Sequence, residues 1–295
     1  NSKRVNFYLV DDKILVIKAD RGEYKLHIMD PLDYPNIDFV TLENPLELPA
    51  ERVKALIRQT SFATAQSEKK PILTGVHLTL NEDKLNVTAT DSFRLSQVLL
   101  DVPTYRPFNI TIPNKSLDEL SKAMDNYNEN ITLYFSVNKL LVKFKNVLFQ
   151  TRLLDGNYPD TSRIIPSSFP IILKFDKDEL LEAVERVSLL SPREKISTNE
   201  LSYSIIKLTV TEDRTVLLST TNASVGDAQE ELIPLETKMN SPLTLGFSSR
   251  YLVEALRSFD SNEIYLNCNE GIRPFVITGE KDPNLTQLIL PVRMD

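Results

Sequence analysis

Residues 5–17, VNFYLVDDKILVI, are matched at 131–143 by ITLYFSVNKLLVK. Each stretch contains two short runs of β-branched and aromatic residues separated by a polar turn, which is typical of a β-hairpin. A Tyr-Pro pair follows both copies, at 34–35 and at 158–159. The spacing indicates an internal duplication whose repeated element includes a hairpin.

Four segments between the strand-like runs place apolar residues at helical spacing: 49–65, 115–125, 176–190 and 248–259. The third resembles the first, and the fourth resembles the second. Asp176 with Glu179 three residues later predicts a capped start for the third helix, and Ser248 or Ser249 caps the fourth. Because each helix is followed by several hairpin strands, we predict an α+β fold with antiparallel sheets.

The repeat contains roughly 125–135 residues, so two full copies fit, at 46–169 and 170–295. Residues 1–45 match only the closing part of a copy, and the chain starts at Asn1 rather than at Met. We therefore expect two complete domains preceded by the C-terminal part of a truncated first domain.

Composition excludes several classes of site. One cysteine in 295 residues allows neither an internal disulfide nor a cysteine-based zinc site, and it fits a reducing compartment. Seven glycines leave no phosphate-binding motif, and two distant histidines leave no histidine-rich metal site. We expect no cofactor, no metal and no membrane span, and a cytoplasmic location.

No combination of nucleophile, base and orienting group stands out, and His77 alternates with apolar neighbours as a structural strand residue would. Carboxylate pairs such as Asp11 and Asp12 are typical of solvated turns. Two alternatives remain: a carboxylate-based hydrolase, and a β-rich scaffold whose function does not involve DNA.

Every predicted helix carries basic residues, although the net charge is −7. These cations are either ordinary solvated side chains or a surface that faces a phosphate backbone without reading sequence. The candidate DNA-facing residues are Lys54, Arg58, Lys69, Lys70, Lys115, Lys122, Arg186, Arg250 and Arg257. The C-terminus is apolar almost to its end, which suggests that it lines a surface groove.

Five strings occur in an order that resembles one family: 71–76 PILTGV, 89–95 ATDSFRL, 154–160 LDGNYPD, 164–166 IIP and 290–294 LPVRM. They are similar to the bacterial DNA sliding clamp, the β subunit of DNA polymerase III holoenzyme. The resemblance covers the whole chain. It implies three similar domains per chain, a non-catalytic processivity factor, and two chains closed head to tail around duplex DNA, with helices lining the channel and sheets outside.

The resemblance also implies a groove that binds linear motifs of the polymerase III α subunit, the clamp loader, other DNA polymerases and repair factors. The matching residues are Leu73, Thr90, Ser92, Phe93, Arg94, Leu95, Pro159, Arg163, Ile164, Pro274, Leu288, Leu290, Pro291, Val292, Arg293 and Met294. Arg94 and Arg163 are expected to donate hydrogen bonds to a bound peptide. Ser92 and Phe93 replace a frequent Gly-His pair, and Pro274 replaces a small polar residue.

For the head-to-tail joint of a homodimer, the resemblance implies an edge strand of the first domain against the third domain. The matching residues are Tyr24, Leu26, Leu189, Leu190, Asp227 and Glu230. Exposed apolar residues on an edge strand favour association in their own right.

Overall fold

The computed structural model describes residues 4–34, 39, 45–103, 105–191, 193–195 and 202–293. Contacts divide the chain into two bodies, 1–40 and 41–295. In the first body, strands β1 (Asn6–Val10), β2 (Ile14–Ala19) and β3 (Gly22–His27) form an antiparallel sheet. A short 3₁₀ turn at Pro31–Asp33 follows.

The second body begins with one complete helix-and-strand repeat. Its elements in chain order are β4 (Leu46–Pro49), α1 (Ala50–Thr60), β5 (Gly75–Asn81), β6 (Lys84–Thr90), β7 (Arg94–Asp101), β8 (Phe108–Pro113), α2 (Asn114–Ala123), β9 (Asn130–Phe135), β10 (Lys139–Phe144) and β11 (Val147–Arg152). Short 3₁₀ turns lie at Ser61–Ala63 and Pro71–Thr74.

The same order then recurs with two additional short strands. The elements are β12 (Ile171–Asp176), α3 (Lys177–Ser188), β13 (Arg193–Lys195), β14 (Ser202–Val210), β15 (Val216–Asn222), β16 (Gly226–Leu232), β17 (Glu236–Lys238), β18 (Leu243–Ser248), α4 (Ser249–Leu256), β19 (Glu263–Cys268), β20 (Phe275–Gly279) and β21 (Asp282–Ile289). The predicted α+β architecture, with two helices in each repeat, is present in the described ranges. No helix there is both long and apolar enough to cross a membrane.

Each of the four helices begins at the residue after a strand ends, so the preceding residue sets the change of direction. Pro49 and Pro113 precede α1 and α2, and neither supplies a side-chain cap. Asp176 caps α3 by accepting hydrogen bonds from the backbone N–H groups of Asp178 and Glu179, at 2.9 and 3.0 Å. The predicted Asp176 cap is confirmed, and Ser248 caps α4.

Strand pairing joins the two repeats of the second body. A nine-stranded sheet has the order β17-β12-β19-β20-β21-β7-β6-β5-β8, and its β21–β7 pair connects the second repeat of this body to the first. We call this pair the seam; its register runs from Leu285 opposite Val98 to Ile289 opposite Arg94. The other two sheets have the orders β11-β10-β9-β4 and β13-β14-β15-β16, with β18 on β14.

Buried polar groups fix the seam from the helix side. Gln287 of β21 donates from Nε2 to the carbonyl of Gln59 at 3.1 Å and to the hydroxyl of Ser258 at 3.0 Å. Ser96 of β7 donates to the same Gln59 carbonyl at 2.6 Å. Since buried polar groups are costly when unpaired, this network favours a single alignment of the two repeats.

Candidate peptide groove

A groove of about 480 Å³ opens where the start of β7 meets the end of β21. Its walls come from the 3₁₀ turn at Pro71–Thr74, the β6–β7 turn, the connector after β11 and the end of β21. The lining residues are Lys70, Ile72, Leu73, Thr90, Ser92, Arg94, Leu95, Asn157, Pro159, Thr161, Ile164, Leu288 and Leu290. Apolar walls with a few polar groups suit an extended peptide that inserts apolar side chains.

The β6–β7 turn is held by its own side chains. The Asp91 carboxylate accepts hydrogen bonds from the backbone N–H groups of Phe93 and Arg94, at 2.9 and 3.0 Å. Burial raises the pKa of Asp91, and the Arg94 charge opposes that shift. Ser92 has a φ of +82°, in the left-handed region that favours glycine. A serine therefore holds a backbone conformation that glycine adopts more easily.

We expect Ser92→Gly to raise the free energy of unfolding by about 0.5–1 kcal/mol, because glycine adopts this φ without a Cβ clash. Denaturant titration measures the change. Ser92→Ala is the control, since it removes the hydroxyl and keeps the Cβ. Equal stabilisation by both substitutions would contradict the conformational explanation.

Arg94 does not present its donors to the groove, which corrects the expected role of this residue. Its side chain is 4% exposed, and Nε donates to the Asp91 carboxylate at 3.0 Å. The two terminal nitrogens donate to the Glu254 carboxylate and to the Phe62 carbonyl. The guanidinium also lies 4.4 Å from the ring centroid of Tyr251. Arg94 therefore joins β7 to α4 beneath the groove.

The connector that forms one wall is anchored by Tyr158. The Tyr158 ring stacks on His77 with centroids 4.3 Å apart, and its hydroxyl accepts a hydrogen bond from the Thr90 backbone N–H at 3.0 Å. Thr111 Oγ1 lies 2.9 Å from His77 Nδ1. Burial lowers the pKa of His77, so this side chain stays neutral at neutral pH. The expected structural role of His77 is confirmed.

Nine of the sixteen predicted groove residues line the cavity: Leu73, Thr90, Ser92, Arg94, Leu95, Pro159, Ile164, Leu288 and Leu290. Six others do not: Phe93, Arg163, Pro274, Pro291, Val292 and Arg293. Met294 lies outside the described residues.

The course of the C-terminal segment explains part of this difference. The Leu290 N–H donates to the Phe93 carbonyl at 2.9 Å, and the Phe93 side chain is exposed. Two residues later, the Val292 N–H donates to the carbonyl of Gly246 in β18 at 2.7 Å. The chain thus leaves the groove after Leu290 and joins another strand.

The sequence analysis did not assign four of the lining residues to the groove: Lys70, Ile72, Asn157 and Thr161. Ile72 and Asn157 stand inside two of the family-like strings, so those strings contained the necessary signal. Lys70 was predicted to face DNA, and the structure places it on the groove wall. A cation there suits a peptide that carries an acidic residue.

Most of the predicted DNA-facing residues form ion pairs within the described part of the chain. The pairs are Lys54–Glu51, Arg58–Asp260, Lys122–Glu119, Arg186 with Glu182 and Glu230, Arg250–Glu254 and Arg257–Glu185. Lys115 lies on α2, and Lys69 precedes the 3₁₀ turn at Pro71–Thr74. A phosphate must compete with these carboxylates, which favours weak and salt-sensitive contacts.

The residues predicted at a chain-to-chain joint lie in three places. Tyr24 and Leu26 are 63% and 49% exposed on β3, the edge strand of its sheet. Leu189, 82% exposed, and the half-buried Leu190 follow α3. Asp227 and Glu230 lie on the edge strand β16.

In the described ranges, no three His, Cys, Asp or Glu side chains gather as a metal site would require. Burial raises the pKa of the Cys268 thiol to about 12, so this cysteine is an inert core residue. The groove and the basic helix surfaces are therefore the features to compare with known proteins.

Two family models match the chain. The model described as the central domain of the DNA polymerase III beta subunit matches residues 47–160, and the model of its C-terminal domain matches residues 162–293. The matches therefore begin within β4 and end beyond β21.

Individual proteins agree with these models. The beta sliding clamp of Bacillus subtilis (strain 168) is 35% identical over 282 residues, which covers 95% of this chain and 72% of that relative. The Staphylococcus aureus beta sliding clamp is 37% identical over 281 residues, covering 94% and 72%. The crystal structure of the Bacillus subtilis DNA polymerase sliding clamp superposes with a TM-score of 0.90 at 33% identity, covering 99% of this chain and 75% of that one.

Proposed function

The chain belongs to the family of bacterial β sliding clamps, and from that membership we propose that two copies close head to tail around duplex DNA while the groove tethers a DNA polymerase. The family makes it a non-catalytic processivity factor, as the sequence predicted, and excludes the carboxylate-based hydrolase. The bacterial cytoplasm, at the nucleoid, is the proposed location.

The groove supports the tethering role most directly. It is built from both repeats across the seam, so a bound peptide contacts the middle and last repeats together. We propose that it takes apolar linear motifs from the polymerase III α subunit, the clamp loader, other DNA polymerases and repair factors. All sixteen predicted groove residues, including the six outside the cavity lining, remain part of this proposal.

Sequence-independent DNA contact is proposed for the other eight predicted basic residues, since Lys70 lines the groove. Because most of them already have carboxylate partners, topology rather than affinity would keep the protein on DNA. An acidic total charge is compatible with this arrangement, since only the surface that faces DNA needs exposed cations.

The test is release from circular DNA. The protein is loaded onto nicked circular DNA by a clamp loader, and the retained fraction is followed before and after the circle is linearised. We expect slow loss from the circle and rapid loss after cutting. Equal loss from circular and linear DNA would contradict encirclement and favour a scaffold that ignores DNA.

For the head-to-tail joint, we expect Leu26→Asp to convert the dimer to a monomer. The added charge would face the edge of β16, where Asp227 and Glu230 are acidic, and strand pairing would also lose an apolar contact. Sedimentation equilibrium measures the molar mass. Val137→Asp, at a fully exposed turn, is the matched control and should leave the mass unchanged. A Leu26→Asp protein that stays dimeric would exclude β3 from the joint.

A further inference from the structure

Glu254 of α4 holds two arginines at once. Its Oε1 accepts a hydrogen bond from Arg250 Nε at 2.8 Å, and its Oε2 accepts one from Arg94 Nη1. Arg94 is almost completely buried, whereas the Arg250 side chain is 37% exposed. One carboxylate therefore bridges a buried groove residue and a cation that reaches solvent.

Arg94 in turn fixes the groove wall. Its backbone carbonyl accepts a hydrogen bond from Thr90 Oγ1 at 2.5 Å, and its backbone pairs with Ile289 in the seam. Leu95 follows it directly in β7 and lines the same groove. The guanidinium is therefore attached, through the Arg94 main chain, to the strand that shapes the cavity.

Arg250 lies among the cations proposed to contact DNA. Arg257 stands at the C-terminal end of the same helix and pairs with Glu185 of α3, which packs against α4. From α1, Arg58 reaches the Ser258 carbonyl at 2.9 Å. A DNA phosphate at this surface would compete with Glu254 for Arg250, because the Arg250 side chain is 37% exposed and the pair is only partly buried.

We propose that Glu254 is a positioning residue that couples the peptide groove to the DNA-facing helices, an inference that rests on the proposed function. Without DNA, Arg94 and Arg250 share the carboxylate. When a phosphate draws Arg250 away, the carboxylate is left to Arg94, and that buried charge-assisted hydrogen bond strengthens. The groove wall is then held in its binding geometry. Duplex DNA thereby tightens peptide binding, and the peptide tightens duplex binding by the same factor.

The experiment measures the affinity of the full chain for a fluorescent polymerase-derived peptide, by anisotropy, with and without saturating duplex DNA. We expect the duplex to tighten peptide binding at least about fivefold in the wild type. Glu254→Gln, which keeps the size and loses the charge, should bring the ratio of the two affinities to about one. Arg250→Ala should do the same, and the double variant should show no further change.

Arg257→Ala is the matched control because it removes another arginine of this helix whose partner is Glu185 instead of Glu254. This variant should weaken duplex binding, but the ratio of the peptide affinities with and without saturating duplex should stay at the wild-type value. Glu185→Gln should also leave that ratio unchanged. The proposed coupling would be wrong if Glu254→Gln kept the wild-type ratio of peptide affinities. It would also be wrong if that ratio were one in a wild type that binds both ligands. Neither result would contradict the proposed function. A wild type that binds no peptide or no duplex would overturn the proposed function as well.

Discussion

Replacing Leu290 with aspartate is expected to weaken peptide binding at least about 100-fold with little change in fold stability. Leu290 lines the groove just past the end of β21, and it is only half-buried. Its structural contribution is the backbone hydrogen bond from its N–H to the Phe93 carbonyl, which any residue except proline can make. The side chain is therefore free to change.

Two effects combine in the bound state of this variant. The apolar contact between the leucine and the peptide is lost, which is worth about 2 kcal/mol. The new carboxylate would also be desolvated under an apolar peptide without a partner. Isothermal calorimetry with a polymerase-derived peptide measures the result, and thermal unfolding checks the fold.

Ile233→Asp is the matched control, because Ile233 is 80% exposed and does not line the groove. It adds the same charge to the same protein and should leave peptide affinity unchanged. If Leu290→Asp bound the peptide as tightly as Ile233→Asp does, the 480 Å³ cavity would not be the binding site.

Gly75→Ala is expected to lower the free energy of unfolding by about 3 kcal/mol. A Cβ on Gly75 would lie 2.5 Å from the Ile112 carbonyl oxygen and 2.7 Å from a methyl of Leu154. The first contact is with backbone in the neighbouring strand β8, so no side-chain rotation can relieve it. The β5–β8 ladder and the connector that carries a groove wall must both move.

Denaturant titration measures this loss, and peptide affinity should fall with it because the connector is displaced. Gly22→Ala is the control: its Cβ would meet only the exposed Tyr24 ring, at 3.2 Å, which can turn away. The control should lose less than about 1 kcal/mol. Equal stability of the two variants would show that strands β5 and β8 separate easily.

Local patterns in the sequence predicted the helices and the hairpins well, because both depend on residues close together in the chain. The Asp176 cap is one example, and all four predicted helices are present, although α1 ends at Thr60, five residues before its expected end, and a 3₁₀ turn follows it. Eight of the nine correctly predicted lining residues sit in family-like strings, yet Ile72 and Asn157 sit in the same strings and were not predicted.

Charge pairing could not be predicted, since it depends on residues far apart in sequence. Arg58 meets Asp260 across 202 positions, and Arg94 meets Glu254 across 160. Without those partners, both arginines look like available donors. Burial of Arg94 beneath the groove therefore becomes visible only once the fold brings α4 against β7.

The seam also determines how this protein unfolds. The two family domains meet at residues 160–162, but β7 and β21, which pair in the seam, lie far from that boundary in sequence. The main-chain hydrogen bonds of the seam therefore still join the two domains when the chain is divided there. Heating should unfold the two joined repeats in one cooperative transition. A fragment cut at the boundary would expose a strand edge with unpaired backbone groups, and it should aggregate during refolding. The two domains that are distinct in the sequence therefore unfold as one cooperative unit.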